Sequence, residues 1–156
     1  PYSVAKLDNG IFWLGADARG NGIVYRANGY TGQRVSTHAI EFAIQSYPTI
    51  SDAIAYTYQQ EGHAFYVLIF PTGNATWVYD VATGAWHERA GFSNGQFMRH
   101  ISNCQMNYNN EIVVGDYANG NIYGAAPRAK QPYPNRAACR PVGLRIRRRV
   151  RHRARQ

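Results

Sequence analysis

Cysteine is nearly missing from this chain: Cys104 and Cys139 are the only two in 156 residues. They sit in unlike contexts and make no CxxC pair, so neither a metal knuckle nor a disulfide framework is indicated, and two separate thiols is the plainer reading. Long hydrophobic runs are also missing, and no stretch approaches the ~18 apolar residues of a membrane-spanning helix. Nothing at the start resembles a basic-then-apolar secretory leader. The chain opens on Pro1 and not on Met, which points to sequence upstream. Acidic residues stop at Asp116. Six basic residues stand against nine acidic ones in residues 1–126, a net −3, whereas 127–156 hold eleven basic residues and no acid, a net +11. The overall charge of +8 therefore describes neither part: a mildly acidic body precedes a basic tail.

What is plentiful is aromatic residues and glycine, with 12 Tyr, 13% aromatics in all and 15 Gly. That mixture favours short strands joined by tight turns over a helical bundle. The clearest unit is Ala53–Arg89. Ala53–Tyr58, the solid apolar run Ala64–Phe70, Thr76–Val81 and Ala85–Arg89 read as strands, separated by turns at Gln59–His63, Pro71–Asn74 and Thr83-Gly84. Four antiparallel strands in about 40 residues is the size of one propeller blade.

On either side the same grammar recurs less completely. Pro1–Asn9 gives no clear pattern, then Gly10–Ala16, Ile23–Ala27 and Gln33–Ser36 read as strands, with a turn dipeptide at Asn28-Gly29. Ile40, Ala43, Ile44 and Tyr47 then fall at helical spacing over His38–Tyr47. Ser36 or Thr37 supplies an N-cap, Glu41 a first-turn acid and Pro48 a stop. Past Arg89, a glycine-rich loop over Ala90–Gln96 precedes Phe97–Tyr108, Glu111–Tyr117 and Asn121–Ala125. Phe12-Trp13-Leu14, Phe65-Tyr66-Val67 and Ile112-Val113-Val114 line up as one repeated strand. Ile23-Val24-Tyr25, Trp77-Val78-Tyr79 and Asn121-Ile122-Tyr123 line up as the next. The repeat predicts a mainly β fold: antiparallel meanders forming a partial β-propeller of two to three blades, with one short helix. The expected blade count is the end of one, one full blade and most of a third, too few to close a ring.

Candidate chemistry is thin. His38, His63, His87, His100 and His152 show no HExxH-type spacing, so solvated or hydrogen-bonded histidines are expected. Asp17, Asp80 and Asp116 each follow an apolar strand and suit Asx-type turns; a glycosidase pair would need carboxylates roughly 5–10 Å apart in a cleft. Gly20–Gly22 and Gly73–Ala75 lack the Lys-Ser/Thr of a phosphate loop. Trp13, Trp77 and Trp86 suit packing between blades, or alternatively a carbohydrate-stacking face. No catalytic, cofactor-binding or metal-ligating residue is assigned.

Taken in order, GIFWLGADARGNGIVYRANG, the Ser36-Thr37…Ile40-Glu41…Ile44…Ser46-Tyr47 stretch, HAFYVLIF, TWVYD with TGAWHER, and NNEIVVGDYANGNIY resemble the packaged-DNA stabilisation proteins of short-tailed phages. The resemblance spans about Asn9 to Tyr123. It implies a non-enzymatic virion protein made in the host cytoplasm, joining portal and tail proteins in a homo-oligomeric ring. Such a ring plugs the exit channel beside packaged DNA, without sequence readout and without a membrane. Family chains are far longer, so a fragment is implied. The alternative is a propeller serving as a carbohydrate- or protein-binding module.

The likeness ends near Tyr123, which divides the chain into a propeller part, 1–126, and an irregular, disordered basic tail, 127–156. The Arg-, Ala- and Pro-rich tail has the composition of a GC-rich gene read out of frame. The other reading is a basic arm, in which Arg145, Arg147, Arg148, Arg149, Arg151, Arg153 and Arg155 contact nucleic-acid phosphates.

Overall fold

The computed structural model describes residues 2–109 and 111–125, together with the backbone of strand residues 139–141. The described residues form three four-stranded meanders in which each strand pairs antiparallel with the next in sequence. The first sheet is β1 (Ala5–Leu7), β2 (Gly10–Ala16), β3 (Gly22–Asn28) and β4 (Thr31–Arg34). Helix α1 (His38–Gln45) leads to the second sheet: β5 (Ile54–Gln60), β6 (His63–Phe70), β7 (Ala75–Asp80) and β8 (Ala85–Glu88). A two-stranded hairpin, β9 (Ala90–Ser93) with β10 (Gln96–Arg99), precedes the third sheet. That sheet is β11 (Ser102–Tyr108), β12 (Glu111–Asp116), β13 (Ile122–Ala125) and β14 (Cys139–Pro141).

The repeat read from the sequence holds strand for strand. Its first set of triplets falls on β2, β6 and β12, the second strand of each sheet, and its second set on β3, β7 and β13, the third strand. Register refines it. Trp13 pairs with Tyr25 and Tyr66 with Tyr79, but Tyr123 pairs with Val114 and not Val113, a one-residue slip in the third sheet.

Three expectations change. Residues 5–7 form a strand, because Asp8 and Asn9 take positive φ (46° and 56°) and fold it back on β2. The first sheet is thus a complete four-stranded blade. The segment 90–96 is no loop: Asn94 and Gly95, at φ 52° and 80°, close a two-residue hairpin turn, the role that left-handed backbone gives Asn-Gly. The run Phe97–Tyr108 is accordingly broken at His100 and Ile101, with β10 on one side and β11 on the other.

The helix keeps its expected start. Thr37 is the N-cap, its hydroxyl accepting from Ile40 N–H at 3.5 Å, while Ile40 and Ile44 are buried. It lies where the first sheet meets the second, and Tyr47 beyond its end tilts against Phe70 with ring centroids 5.0 Å apart. Close approach there requires glycine: a Cβ on Gly73 would lie 2.6 Å from the Tyr47 ring.

Strand β6 explains its own unbroken apolar run. Tyr66, Leu68 and Phe70 point into one core with Leu7, Phe12, Val24, Ile40 and Ile44. Val67 and Ile69 point the other way, into a second core with Tyr56, Tyr58 and Val78. A strand covered on both faces loses the apolar–polar alternation of a half-exposed one. The second sheet is therefore the middle layer.

Candidate functional site

The first strands of the three sheets converge. β1 lies against β5, and β5 against β11. Ala55 N–H donates to the Tyr2 carbonyl (2.9 Å), Thr57 Oγ1 to the Lys6 carbonyl (2.8 Å) and Gln105 Nε2 to the Thr57 carbonyl (2.6 Å). At the other edge, every residue of β4 is exposed, as are three of four in β8. Sheets that meet at their first strands and end outward on exposed fourth strands fan about a common axis.

Because side chains alternate along a strand, each sheet has two faces. The face that meets the preceding sheet carries the cross-strand pair Tyr66–Tyr79 in the second sheet and Val114–Tyr123 in the third. The opposite face carries Leu14–Val24 in the first sheet and Val67–Val78 in the second. At the first junction, Phe12 stacks on Tyr66 with centroids 5.3 Å apart, and Tyr66 O–H reaches the Ser3 carbonyl at 2.7 Å. Fully burying such a ring is worth about 2–3 kcal/mol. At the second, the Tyr56 hydroxyl meets Ser102 Oγ at 2.6 Å beside Val67, Ile69 and Val78. These faces are the working surfaces of the molecule.

The residues singled out for chemistry are spent on structure. Asp17, Asp80 and Asp116 each accept a backbone N–H two residues on, from Arg19 (2.8 Å), Ala82 (3.0 Å) and Ala118 (2.7 Å), as Asx turns do. Asp80 also takes His63 Nδ1 at 2.8 Å and the Thr83 hydroxyl at 2.9 Å. Burial pushes the Asp80 pKa up, but the bonds from His63, Thr83 and Ala82 outweigh it and leave the carboxyl below its usual range. His38 lies beside the Arg34–Glu41 ion pair at the helix start, and His87 sits edge-on to Phe65.

His100 is the exception to the expectation of a strand position: it lies in the link between β10 and β11 and is buried. Its Nδ1 is 2.6 Å from Ser102 Oγ, a serine–histidine contact of the kind nucleophilic enzymes use. Ser102 is fully buried, however, and its hydroxyl is already shared with Tyr56, so the group ties the second sheet to the third. Trp77 Nε1–H donates to the Tyr47 hydroxyl and Trp86 Nε1–H to the Val35 carbonyl, both at 2.9 Å, inside the first junction. Trp77 and Trp86 thus pack between blades and offer no sugar platform, whereas Trp13 stacks on Tyr25 on an open face.

Among the described residues, no group of three His, Cys, Asp or Glu could hold a metal ion, and no helix is long and apolar enough to cross a membrane. Cys104 is a free, exposed thiol. Arg145, Arg147, Arg148, Arg149, Arg151, Arg153, Arg155 and His152 lie outside the described residues.

Successive four-stranded meanders, packed face to face and fanning from their first strands, define a β-propeller architecture. Residues 1–127 match the family described as Bacteriophage P22 Gp10, beta-propeller, and the chain belongs to this family of phage stabilisation proteins. It is a structural virion family of phage, concerned with stabilising packaged DNA. No curated protein matches the chain.

Proposed function

We infer that this protein is a non-catalytic part of the phage virion, placed at the portal–tail junction, where it closes the DNA exit channel and retains packaged DNA. Family membership over residues 1–127 carries the reading. Its partners are the portal and other tail proteins, and it works in a homo-oligomeric ring made in the host cytoplasm. Closure is steric. The buried serine–histidine contact and the Asx-bound carboxylates support the absence of catalysis, since each group is already engaged by the fold.

The test is co-assembly. Purified chain mixed with portal rings is expected to co-sediment and to add density at the tail-facing mouth in negative-stain images. Failure to associate, together with saturable glycan binding lost in Trp13→Ala, would replace this reading with a carbohydrate-binding propeller.

The basic tail adds a contact with packaged DNA, in which the seven arginines of 145–155 neutralise phosphates without reading bases. If all seven engage, the logarithm of affinity falls against the logarithm of salt with a slope of about −6. Sequencing the coding DNA from codon 115 comes first: another frame that restores strands after Tyr123 removes the arm from the argument.

A further inference from the structure

Asparagine is a thermolabile residue, most of all before glycine, which has no side chain to keep its nitrogen from the asparagine side-chain carbonyl. The sequence has five such pairs, beginning at Asn9, Asn21, Asn28, Asn94 and Asn119. The fold restrains four of them. Asn21 donates from its side-chain amide to Asp17 at 3.0 Å and accepts from Gln45 at 2.9 Å. Asn119 accepts from Asn121 N–H at 2.8 Å and donates to the Tyr123 hydroxyl at 3.3 Å. After Asn9 it is the glycine that is fixed: Gly10 is buried and pairs with Leu7 in the ladder of a four-stranded sheet. Asn28 is itself a ladder residue of that sheet, paired with Thr31, whose hydroxyl donates to the Asn28 carbonyl at 3.0 Å.

Asn94 has none of these restraints. It lies outside the strands, in the turn between β9 and β10, and both it and Gly95 are exposed. Its side-chain amide has no partner among the described residues, and a Cβ on Gly95 would meet nothing within 4 Å. The hairpin that holds the turn has only two strands and four residue pairs. An isolated two-stranded hairpin is marginal in water. Rotating Asn94 out of its left-handed conformation (φ 52°) therefore costs little here, less than opening a turn in a four-stranded sheet. We propose that Asn94 is the site at which the folded chain deamidates spontaneously. The Gly95 nitrogen loses its proton to base and attacks Asn94 Cγ. A C–N bond forms, and the side-chain nitrogen takes up a proton and leaves as ammonia. Water then opens the cyclic imide at either carbonyl, giving aspartate or isoaspartate. Water is consumed and ammonia released, with no other reactant. Isoaspartate adds a negative charge and puts an extra methylene in the main chain. The two-residue closure of Ser93 on Gln96 then no longer fits, and the Phe92–Phe97 contact (5.2 Å between centroids) loosens. The inference stands apart from the virion reading, since it needs only the chain and water.

The test is peptide mapping of the full chain aged in warm, mildly alkaline buffer, once folded and once in urea. Trypsin cuts after Lys6, Arg19, Arg26, Arg34, Arg89 and Arg99, which puts the five asparagines on five different peptides. Deamidation raises a peptide by about one mass unit, and isoaspartyl methyltransferase labels the isoaspartate. Circular dichroism checks that the sample in buffer stays folded. In urea the five sites are expected to age at similar rates. In buffer the 90–99 peptide is expected to keep a rate near its urea rate, and the other four to slow several-fold. Slowing of Asn94 to the level of Asn21 or Asn119 overturns the proposal, and so does faster loss at Asn9 or Asn28. Conversion of Asn94 to aspartate alone, with no methyl-accepting isoaspartate, overturns the role assigned to the Gly95 nitrogen.

Discussion

Acid should loosen the joint between the second and third sheets through a single histidine. His100 is 6% exposed, and its Nδ1 accepts from Ser102 N–H at 3.3 Å and faces the Ser102 hydroxyl at 2.6 Å. A nitrogen accepting a backbone N–H carries no proton, which makes the neutral ring with hydrogen on Nε2 the form that fits. Burial pushes the pKa down to about 4; the positive charge of Arg89 adds to this, and Asp116 opposes it. The unfolded chain, with an ordinary histidine pKa of about 6.5, binds a proton between pH 6.5 and 4 that the folded chain refuses. Stability therefore falls as pH drops through that window. A shift of roughly 2.5 units at 1.36 kcal/mol each gives about 3 kcal/mol, most of it felt by pH 4.5. Asp17, Glu41 and Asp80 have lowered pKa values, so their contribution is full above the ordinary carboxylate values and is lost as pH falls through them toward the lower folded ones. The two windows meet near pH 4.5, so the comparison with a variant lacking the imidazole isolates the histidine. The assay is urea unfolding of the parent and of His100→Asn at pH 7 and 4.5, with the imidazole signal of His100 followed by NMR. The parent should lose about 2–3 kcal/mol more than the variant between the two pH values. Equal losses, or a His100 signal titrating near pH 6.5, would refute the reasoning.

Three further substitutions probe the first junction. Gly73→Ala puts a methyl 2.6 Å from the Tyr47 ring, so thermal unfolding should show a loss of about 1–3 kcal/mol. Tyr66→Phe keeps the ring but strips the Ser3 carbonyl of its buried donor, at a cost of about 1–3 kcal/mol by denaturant melt. Phe42→Ser on α1 removes a ring that is 76% exposed, and its melting curve should match the parent within about 0.5 kcal/mol.

Much of this fold was legible in the sequence because turns and strands are local. The Asx-type aspartates and the helical spacing of Ile40 and Ile44 act within a few residues, and each does in the structure what its chemistry favours. The turn expected on Asn28-Gly29 falls one residue later, on Gly29-Tyr30, because Asn28 still pairs with Thr31 and Gly29 takes the positive φ. The second sheet read most clearly because β6 is covered on both faces, which gives an unbroken apolar run. The hairpin at 90–99 was missed although Asn94-Gly95 marks it, because Gly91 beside them made the segment look like a loop. Strand β1 was missed because three residues are too few to show a period. The serine–histidine contact could not be foreseen at all: His100 in the link reaches Ser102 at the start of β11 only when the strands on either side are placed.

By itself, the sequence determined the class of the protein. Aromatic and β-branched runs at blade spacing, punctuated by glycine and asparagine, leave little besides antiparallel meanders, and the order of those runs marks the phage family. The tertiary structure decided which face of each strand looks at which neighbour. Side chains alternate every residue, so a slip of one, as at Val114–Tyr123, turns the whole set over. Local pattern is blind to that choice. Only packing settled it, placing Trp77 and Trp86 inside a junction and leaving Trp13 and Tyr25 on an open face.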